Sequence, residues 1–322
     1  MPTTGEQTVD PLVATARATT ASRLPAFLAL AAAVSAWGIG WPVNRGILYH
    51  LPPLSAVALR SAVAAATLFA IAAWRRRLAP PDPRDLPVVL SISLLHMVGY
   101  AVLVAIGLLF VPVGRSAVLG YTTPLWVTPG ASLFLGERLT PWRAAGVALG
   151  IAGLAVLFNP LDFDWHDQAA LLGNGALLAA ALLWAASILH IRAHRWQATP
   201  FDLIPWEMAV ATVALSVLAL AVDPWPAVEW TPSLILLLLY SALPGTVLAY
   251  WAAAVASRGL PAVTTSLGLL AAPVIGIAAS AAAFGEMPTL SLGVAVVLIV
   301  GGIALGAVSS PARCNPAPAL ME

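Results

Sequence analysis

The sequence predicts an all-α membrane protein of ten transmembrane helices, arranged as two inverted five-helix repeats with both termini cytoplasmic. Three observations carry that prediction. The 322 residues are 60% hydrophobic and 9% charged, with a mean hydropathy of +0.91, far outside the soluble range. Apolar runs close to the roughly 20 residues that span a bilayer recur along the whole chain. Residues of the first half also return in the second at a nearly constant offset. Trp37, Arg45 and Pro53 match Trp184, Arg192 and Pro200 at 147, while Pro112, Pro124 and Gly136-Glu137 match Pro261, Pro273 and Gly285-Glu286 at 149.

In order, the spans cover about 24–48, 54–74, 86–110, 113–135, 141–158, 169–191, 201–222, 232–256, 261–284 and 288–309. The first five make one repeat, 24–158, and the last five a second, 169–309, within one integral membrane domain. Residues 1–23 and 310–322 read as polar cytoplasmic tails without a fold of their own. Connectors are short and punctuated by Pro or Gly, and the longest, 75–85 and 159–167, are too small to be domains. Ser35-Ala36 resembles a signal-peptidase site, but a polar leader precedes it and the apolar run continues to Leu48, so the first span is read as retained.

Arginine placement sets the orientation. With the N-terminus inside, twelve of the fifteen basic residues fall on cytoplasmic segments, leaving Arg45, Arg60 and Arg115 near the outer side. Five spans per half is an odd number, so the second half enters the membrane upside down. That explains why FLGERLTPWR returns as FGEMPTLSLG without its arginines: the first Gly-Glu pair is cytoplasmic and the second is outside.

Several function classes are excluded. A formal charge of +1 without any basic block offers nothing for nucleic acid. Every basic residue is Arg, so a phosphate loop ending in Gly-Lys-Ser/Thr cannot form. The single Cys314 allows no intrachain disulfide. No HExxH, GxSxG or Cys/His cluster appears, so no metal, cofactor or catalytic residue is expected. A membrane enzyme or scaffold, the alternative class, needs a polar catalytic cluster or large partner loops. No Asp or Glu reads as lying at mid-membrane, which argues against a carboxylate proton relay.

Two five-span halves, FLGERLTPWRAAGVALGIAGLAVL closing the first, and AVSAWGIGWPVNRGIL with PLSAVALRSAVAA opening it resemble an EamA-type carrier of the drug/metabolite transporter superfamily. The resemblance covers about residues 24–308, with the YddG-type amino-acid exporters as the branch most alike. It implies a bacterial inner (plasma) membrane protein that exports small zwitterionic substrates, amino acids including aromatic ones, by alternating access. Other small metabolites or drugs are the alternative cargo. It also implies a central cavity walled mainly by spans 1, 3, 4, 6, 8 and 9.

Polar and aromatic groups deep in a span are expensive and therefore candidate site residues. His96 falls about ten residues into span 3, roughly 15 Å deep, with Tyr100 one turn on. Trp37, Trp41 and Asn44 share a face of span 1, and Trp184 holds the matching place in span 6. Aromatic walls suit apolar side chains or an ammonium group. Tyr121, Tyr250 and Thr265 complete the substrate-binding candidates. Each has a plainer role as well, His96 as an interhelical hydrogen bond and the tryptophans as interfacial anchors. Pro42, Pro124, the Pro244-Gly245 pair and Pro273 are candidate hinges, because each proline frees an upstream carbonyl. Arg60 and Glu207 occupy matching places seven residues after Pro53 and Pro200 but lie toward span ends, where long charged side chains snorkel. The glycines of 146–150 and 302–306 permit close helix contact, closing each half or building a homodimer.

The orientation is testable by cysteine labelling. Cysteines introduced at Gly136 and Gly285, with Cys314 replaced, are expected to react with an impermeant reagent in intact cells only at Gly285. Equal labelling of both would overturn the inverted arrangement.

Overall fold

The computed structural model describes residues 11–158, 165–223, 228–260 and 262–308. The second tail, 310–322, and most of the connector 159–167 lie outside them. Every regular element among the described residues is helical: α1 Pro11–Ile47, α2 Pro53–Trp74, α3 Leu86–Phe110, α4 Val113–Gly120, α5 Thr123–Phe134, α6 Pro141–Phe158, α7 Gln168–Ala193, α8 Pro200–Val222, α9 Pro232–Gly259, α10 Ala262–Leu269, α11 Ala271–Phe284 and α12 Leu290–Val308. Nine helical segments among the described residues are long and apolar enough to cross a membrane, one of them, Leu267–Phe284, running from the end of α10 through α11. In hydrocarbon every backbone amide must be satisfied within its own segment, and a helix does that. The chain is a multi-pass membrane protein.

Local chemistry sets the ends. Pro53, Pro141, Pro200 and Pro232 open their helices, where a missing N–H costs nothing. Asp167 and Thr231 accept from the amides of Ala170 and Leu234 at 3.0 and 3.2 Å, satisfying first-turn donors. Gly136 and Gly285 follow α5 and α11 with φ of 65° and 69°, a left-handed turn that favours glycine.

Three sequence expectations change here. Residues 11–22 continue α1 rather than forming an unstructured tail. The run 113–135 is two helices in series, α4 and α5, not one continuous span. Pro124 lacks an amide for the Gly120 carbonyl, and Thr123 Oγ1 donates to that carbonyl instead at 3.1 Å, so the chain turns without stranding an acceptor. The run 261–284 is likewise interrupted at Leu270, three residues before Pro273. Pro42, by contrast, leaves α1 unbroken. Two wide π-helical stretches, Ile92–Tyr100 in α3 and Leu243–Leu248 in α9, had no sequence forecast beyond the Pro244-Gly245 signal.

The helices pack reciprocally between the two halves: α1 on α9 and α11, α7 on α3 and α5, α2 on α8, and α6 on α12. The two glycine stretches therefore meet across the halves, and Gly150 also admits Leu125 of its own half. Gly146 meets the Gly302 backbone of α12, and a Cβ on Gly153 would stand 2.8 Å from Ile299. Small residues let these backbones approach, which is how helices associate where lipid removes the hydrophobic drive.

Connectors tie the ends together. The Glu286 carboxylate accepts from the amides of Val113 and Gly114 at 2.9 and 3.1 Å, so this loop is no peripheral feature but caps α4. Glu137, the matching residue, pairs with Arg143 and with Arg192. Asp223 accepts from the Ser55 amide and hydroxyl at 2.6 and 2.7 Å. Asp85, fully buried, bonds His194 Nε2 at 2.8 Å and accepts from the amides of Gln197 and Ala198. Burial alone would raise the Asp85 carboxyl, but these hydrogen bonds outweigh it and hold it below the ordinary aspartate range. Its stabilisation is therefore present above the unfolded carboxyl's pKa and lost as pH falls through the lower folded value.

The glycine seam yields a measurable expectation. Gly146→Leu overpacks α6 against α12 and is expected to cost about 1–3 kcal/mol, read as a lower Tm in detergent. Gly293→Ala, on the same α12 but with nothing within 4 Å of its Cβ, is expected to leave Tm unchanged. Equal Tm for Gly146→Leu and wild type would mean the seam bears no load.

Candidate functional site

Between the packed halves lies a cavity of about 390 Å³, within the range of roughly 300–1,000 Å³ typical of small-molecule sites. Its wall draws on α1, α2, α3, α7, α8 and α9, with Tyr121 contributed from the α4–α5 turn. The expectation of a wall from spans 1, 3, 4, 6, 8 and 9 is thus corrected. Spans 2 and 7, here α2 and α8, reach the cavity through Arg60 and Glu207, whereas span 9 supplies no lining residue among the described residues.

Seven of the eight substrate-binding candidates meet in this wall: Trp37, Trp41, His96, Tyr100, Tyr121, Trp184 and Tyr250. They form a chain of ring contacts. Trp37 meets Tyr250 edge-on at 5.9 Å, and Tyr250 meets His96 at 6.0 Å. The imidazole lies parallel to the Trp184 indole, 5.0 Å apart at 3°. Trp184 touches Tyr121 at 6.3 Å, and Tyr121 touches Trp41 at 6.3 Å. Trp37 and Trp41, one helical turn apart on α1, stand at the two ends of the chain. Tyr100 braces it from beside His96 and Trp184, at 5.5 and 5.1 Å. Offset and edge-on ring pairs are favourable by about 0.5–1.5 kcal/mol each beyond area burial.

Thr265 does not join them. It is buried on α10 at 5% exposure and absent from the cavity wall, because α10 is a separate short helix ending before the Leu270 interruption. Among the hinge candidates only Gly245 lines the cavity. It lies in the π-helical stretch of α9, beside Pro244. Pro124 and Pro273 stand just after the two interruptions, at matching places in their halves.

The backbone explains why the rings face inward. His96 and Tyr100 both ride on the wide π turn of α3, a device frequent at functional sites. Tyr250 follows the π turn of α9, where Thr246 Oγ1 donates to the Ser241 carbonyl at 2.8 Å. Ser241 Oγ in turn donates to Asn44 Oδ1 at 2.7 Å. The Tyr250 hydroxyl stands 3.4 Å from both nitrogens of His96. Which of them donates depends on the imidazole tautomer, so His96 keeps hydrogen-bonding capacity for a ligand.

Sequence reading placed Arg60 and Glu207 among snorkelling residues and left mid-membrane without a carboxylate. Both residues instead line the cavity, and Glu207 is 3% exposed. Their matched distance from Pro53 and Pro200 was the available signal: two turns past a helix start on each of two paired helices.

A helical bundle of this length enclosing a chamber of aromatic and polar side chains has the build of a membrane transporter. The chain belongs to the EamA-like transporter family, which it matches twice, over residues 23–159 and 171–307. It is 27% identical over 271 residues to the uncharacterised transporter YoaV of Bacillus subtilis, covering 83% of this chain and 91% of that one. A probable amino-acid metabolite efflux pump of Salmonella typhimurium is 29% identical over 304 residues, 88% of this chain and 94% of the pump. A riboflavin transporter of Rhizobium johnstonii is 36% identical over 117 residues, 36% of each chain. One solved crystal structure shares the fold with a TM-score of 0.62 at 22% identity, covering 90% of this chain and 97% of its own.

His96→Ala is expected to lower transport in liposomes about tenfold, the loss of one buried hydrogen bond to a charged group, while folded protein stays abundant. His96→Gln keeps a donor and an acceptor without titrating near neutrality, so its retained activity would assign His96 to hydrogen bonding. Wild-type rate and affinity for His96→Ala would make it a packing residue.

Proposed function

We propose that this protein is a secondary transporter that exports amino acids, aromatic ones included, from the cytoplasm by alternating access. In this reading the ten spans form two inverted five-helix repeats, 24–158 and 169–309, with both termini cytoplasmic in a bacterial inner membrane. The cargo is a small zwitterion, and the cavity between the repeats is its site.

The observation that carries the reading is the chain of ring contacts lining the cavity of a transporter-family chain, with a few polar side chains among them. Such a wall takes an apolar or aromatic side chain on its faces and an ammonium group through cation–π contact. His96 and Tyr250 offer hydrogen bonds beside it. A site between inverted repeats, near the bilayer midplane, is a recurring plan of secondary carriers. The matched interruptions before Pro124 and Pro273 and the two π turns supply bends for rocking one half against the other. The probable amino-acid metabolite efflux pump of Salmonella typhimurium adds support from similarity. A flat heteroaromatic cargo is a second reading, favoured by the riboflavin transporter relative and by the same stacked rings.

Purified protein in liposomes, assayed with a panel of labelled amino acids and with riboflavin, tests both. Amino acids are expected to move down their gradient without ATP, saturably, with exchange at least as fast as net flux. An absolute ATP requirement, or saturable riboflavin movement with none for any amino acid, would overturn the first reading.

A further inference from the structure

Two side chains of opposite acid–base type face the cavity without meeting a partner. Arg60 and Glu207 stand two turns into α2 and α8, helices that pack against each other. Both line the cavity. Among the described residues no hydrogen bond or ion pair engages the Glu207 carboxylate or the Arg60 guanidinium. Only the Glu207 backbone is held, its carbonyl accepting from Ser93 Oγ at 2.9 Å. The two residues form no ion pair with each other. They share the cavity wall with Tyr250, Tyr100 and His96.

An unpaired charge removed from water costs several kcal/mol, and Glu207 is 97% buried by its 3% exposure. One such group is an expense a fold avoids. Two of opposite type, at matched positions on paired helices and lining one chamber, offer a dipolar socket. A ligand that fits it carries a negative and a positive group close together, with an uncharged remainder for the rings.

We propose that Arg60 binds the carboxylate and Glu207 the ammonium of the transported zwitterion, while the ring wall takes the side chain. The inference rests on the amino-acid reading and adds to it the residues that read the cargo's two charges. The guanidinium fork matches a carboxylate with two parallel hydrogen bonds. A carboxylate on the opposite helix complements an ammonium. Each charge in the socket is then paired only when cargo is bound, so a molecule lacking either charge leaves one pole bare and is rejected.

The test deletes each charge from the ligand and from the protein. Wild-type liposomes exchanging labelled L-phenylalanine are challenged with unlabelled phenylalanine, its methyl ester and its N-acetyl derivative. Each analogue is expected to compete about 10- to 100-fold more weakly than phenylalanine, the span of one charged hydrogen-bonding group. Glu207→Gln is expected to abolish discrimination against the N-acetyl compound and keep it against the ester; Arg60→Gln does the reverse. Equal competition by all three in wild type overturns the proposal, and this arm needs no variant to fold. Unchanged selectivity in both variants overturns it as well. A wild type that moves no amino acid instead removes the underlying functional reading, and this inference with it.

Discussion

The bilayer leaves no backbone amide or carbonyl to water, and that constraint orders the rest of the structure. Each helix must close its own hydrogen bonds, so departures from regular helix are affordable only where protein or a cavity surrounds them. The departures here follow that rule. The π turns of α3 and α9 carry or adjoin His96, Tyr100 and Tyr250, and the α4–α5 turn carries Tyr121. At each of the latter two sites a hydroxyl repairs the damage: Thr123 bonds the carbonyl that Pro124 strands, and Thr246 bonds Ser241. The irregular backbone and part of the ring wall thus coincide, while Trp37, Trp41 and Trp184 reach the chamber from regular helix.

The two halves share backbone devices more faithfully than side chains. Left-handed glycines close α5 and α11, interruptions precede Pro124 and Pro273, and a π turn sits in α3 and in α9. The side chains at matched places have diverged. Glu286 caps α4 through its amides, whereas Glu137 holds arginines. Arg60 and Glu207 carry opposite charge. Backbone geometry is costly to change inside a membrane because many hydrogen bonds must move together. A side chain facing an open chamber can change with little disturbance to its helix.

Much of this was legible in the sequence, for reasons specific to membranes. Apolar length reports a span directly, and an aromatic or imidazole ring at mid-span has few inexpensive places to go, so seven of the eight ring and hydroxyl candidates reach the cavity wall. Direction around a helix was much less legible. These helices are apolar on nearly every face, so no amphipathic stripe says which side looks inward, and a π turn shifts the register of every residue beyond it. Arg60 and Glu207 were misread for that reason: depth along the helix suggested snorkelling, while the facing, supplied by the packing of α2 on α8, points them inward. Thr265 shows the opposite placement, polar and deep along the chain but on a short helix outside the wall. The pairing of the glycine stretches across halves was equally invisible, since Gly-x-x-x-Gly states that a helix can be approached closely and not by which neighbour.

Small residues finally fix the shape that the rings define. A Cβ on Gly120 would lie 2.6 Å from the Trp41 indole and 3.3 Å from the Tyr100 hydroxyl, and one on Gly276 would lie 3.3 Å from the same indole. Trp41 is therefore seated between two glycines, one from α4 and one from α11, in space that no other residue leaves open. Gly38, a turn away on α1, lets Ile275 of α11 approach in the same manner. The rings do not fill gaps left over between helices; the helices omit side chains where the rings must stand. Interiors packed this densely move between discrete arrangements rather than deforming continuously. Any rocking of α11 against α1 must then carry Trp41 out of its glycine seat, which couples the outline of the chamber to the relative position of the two halves.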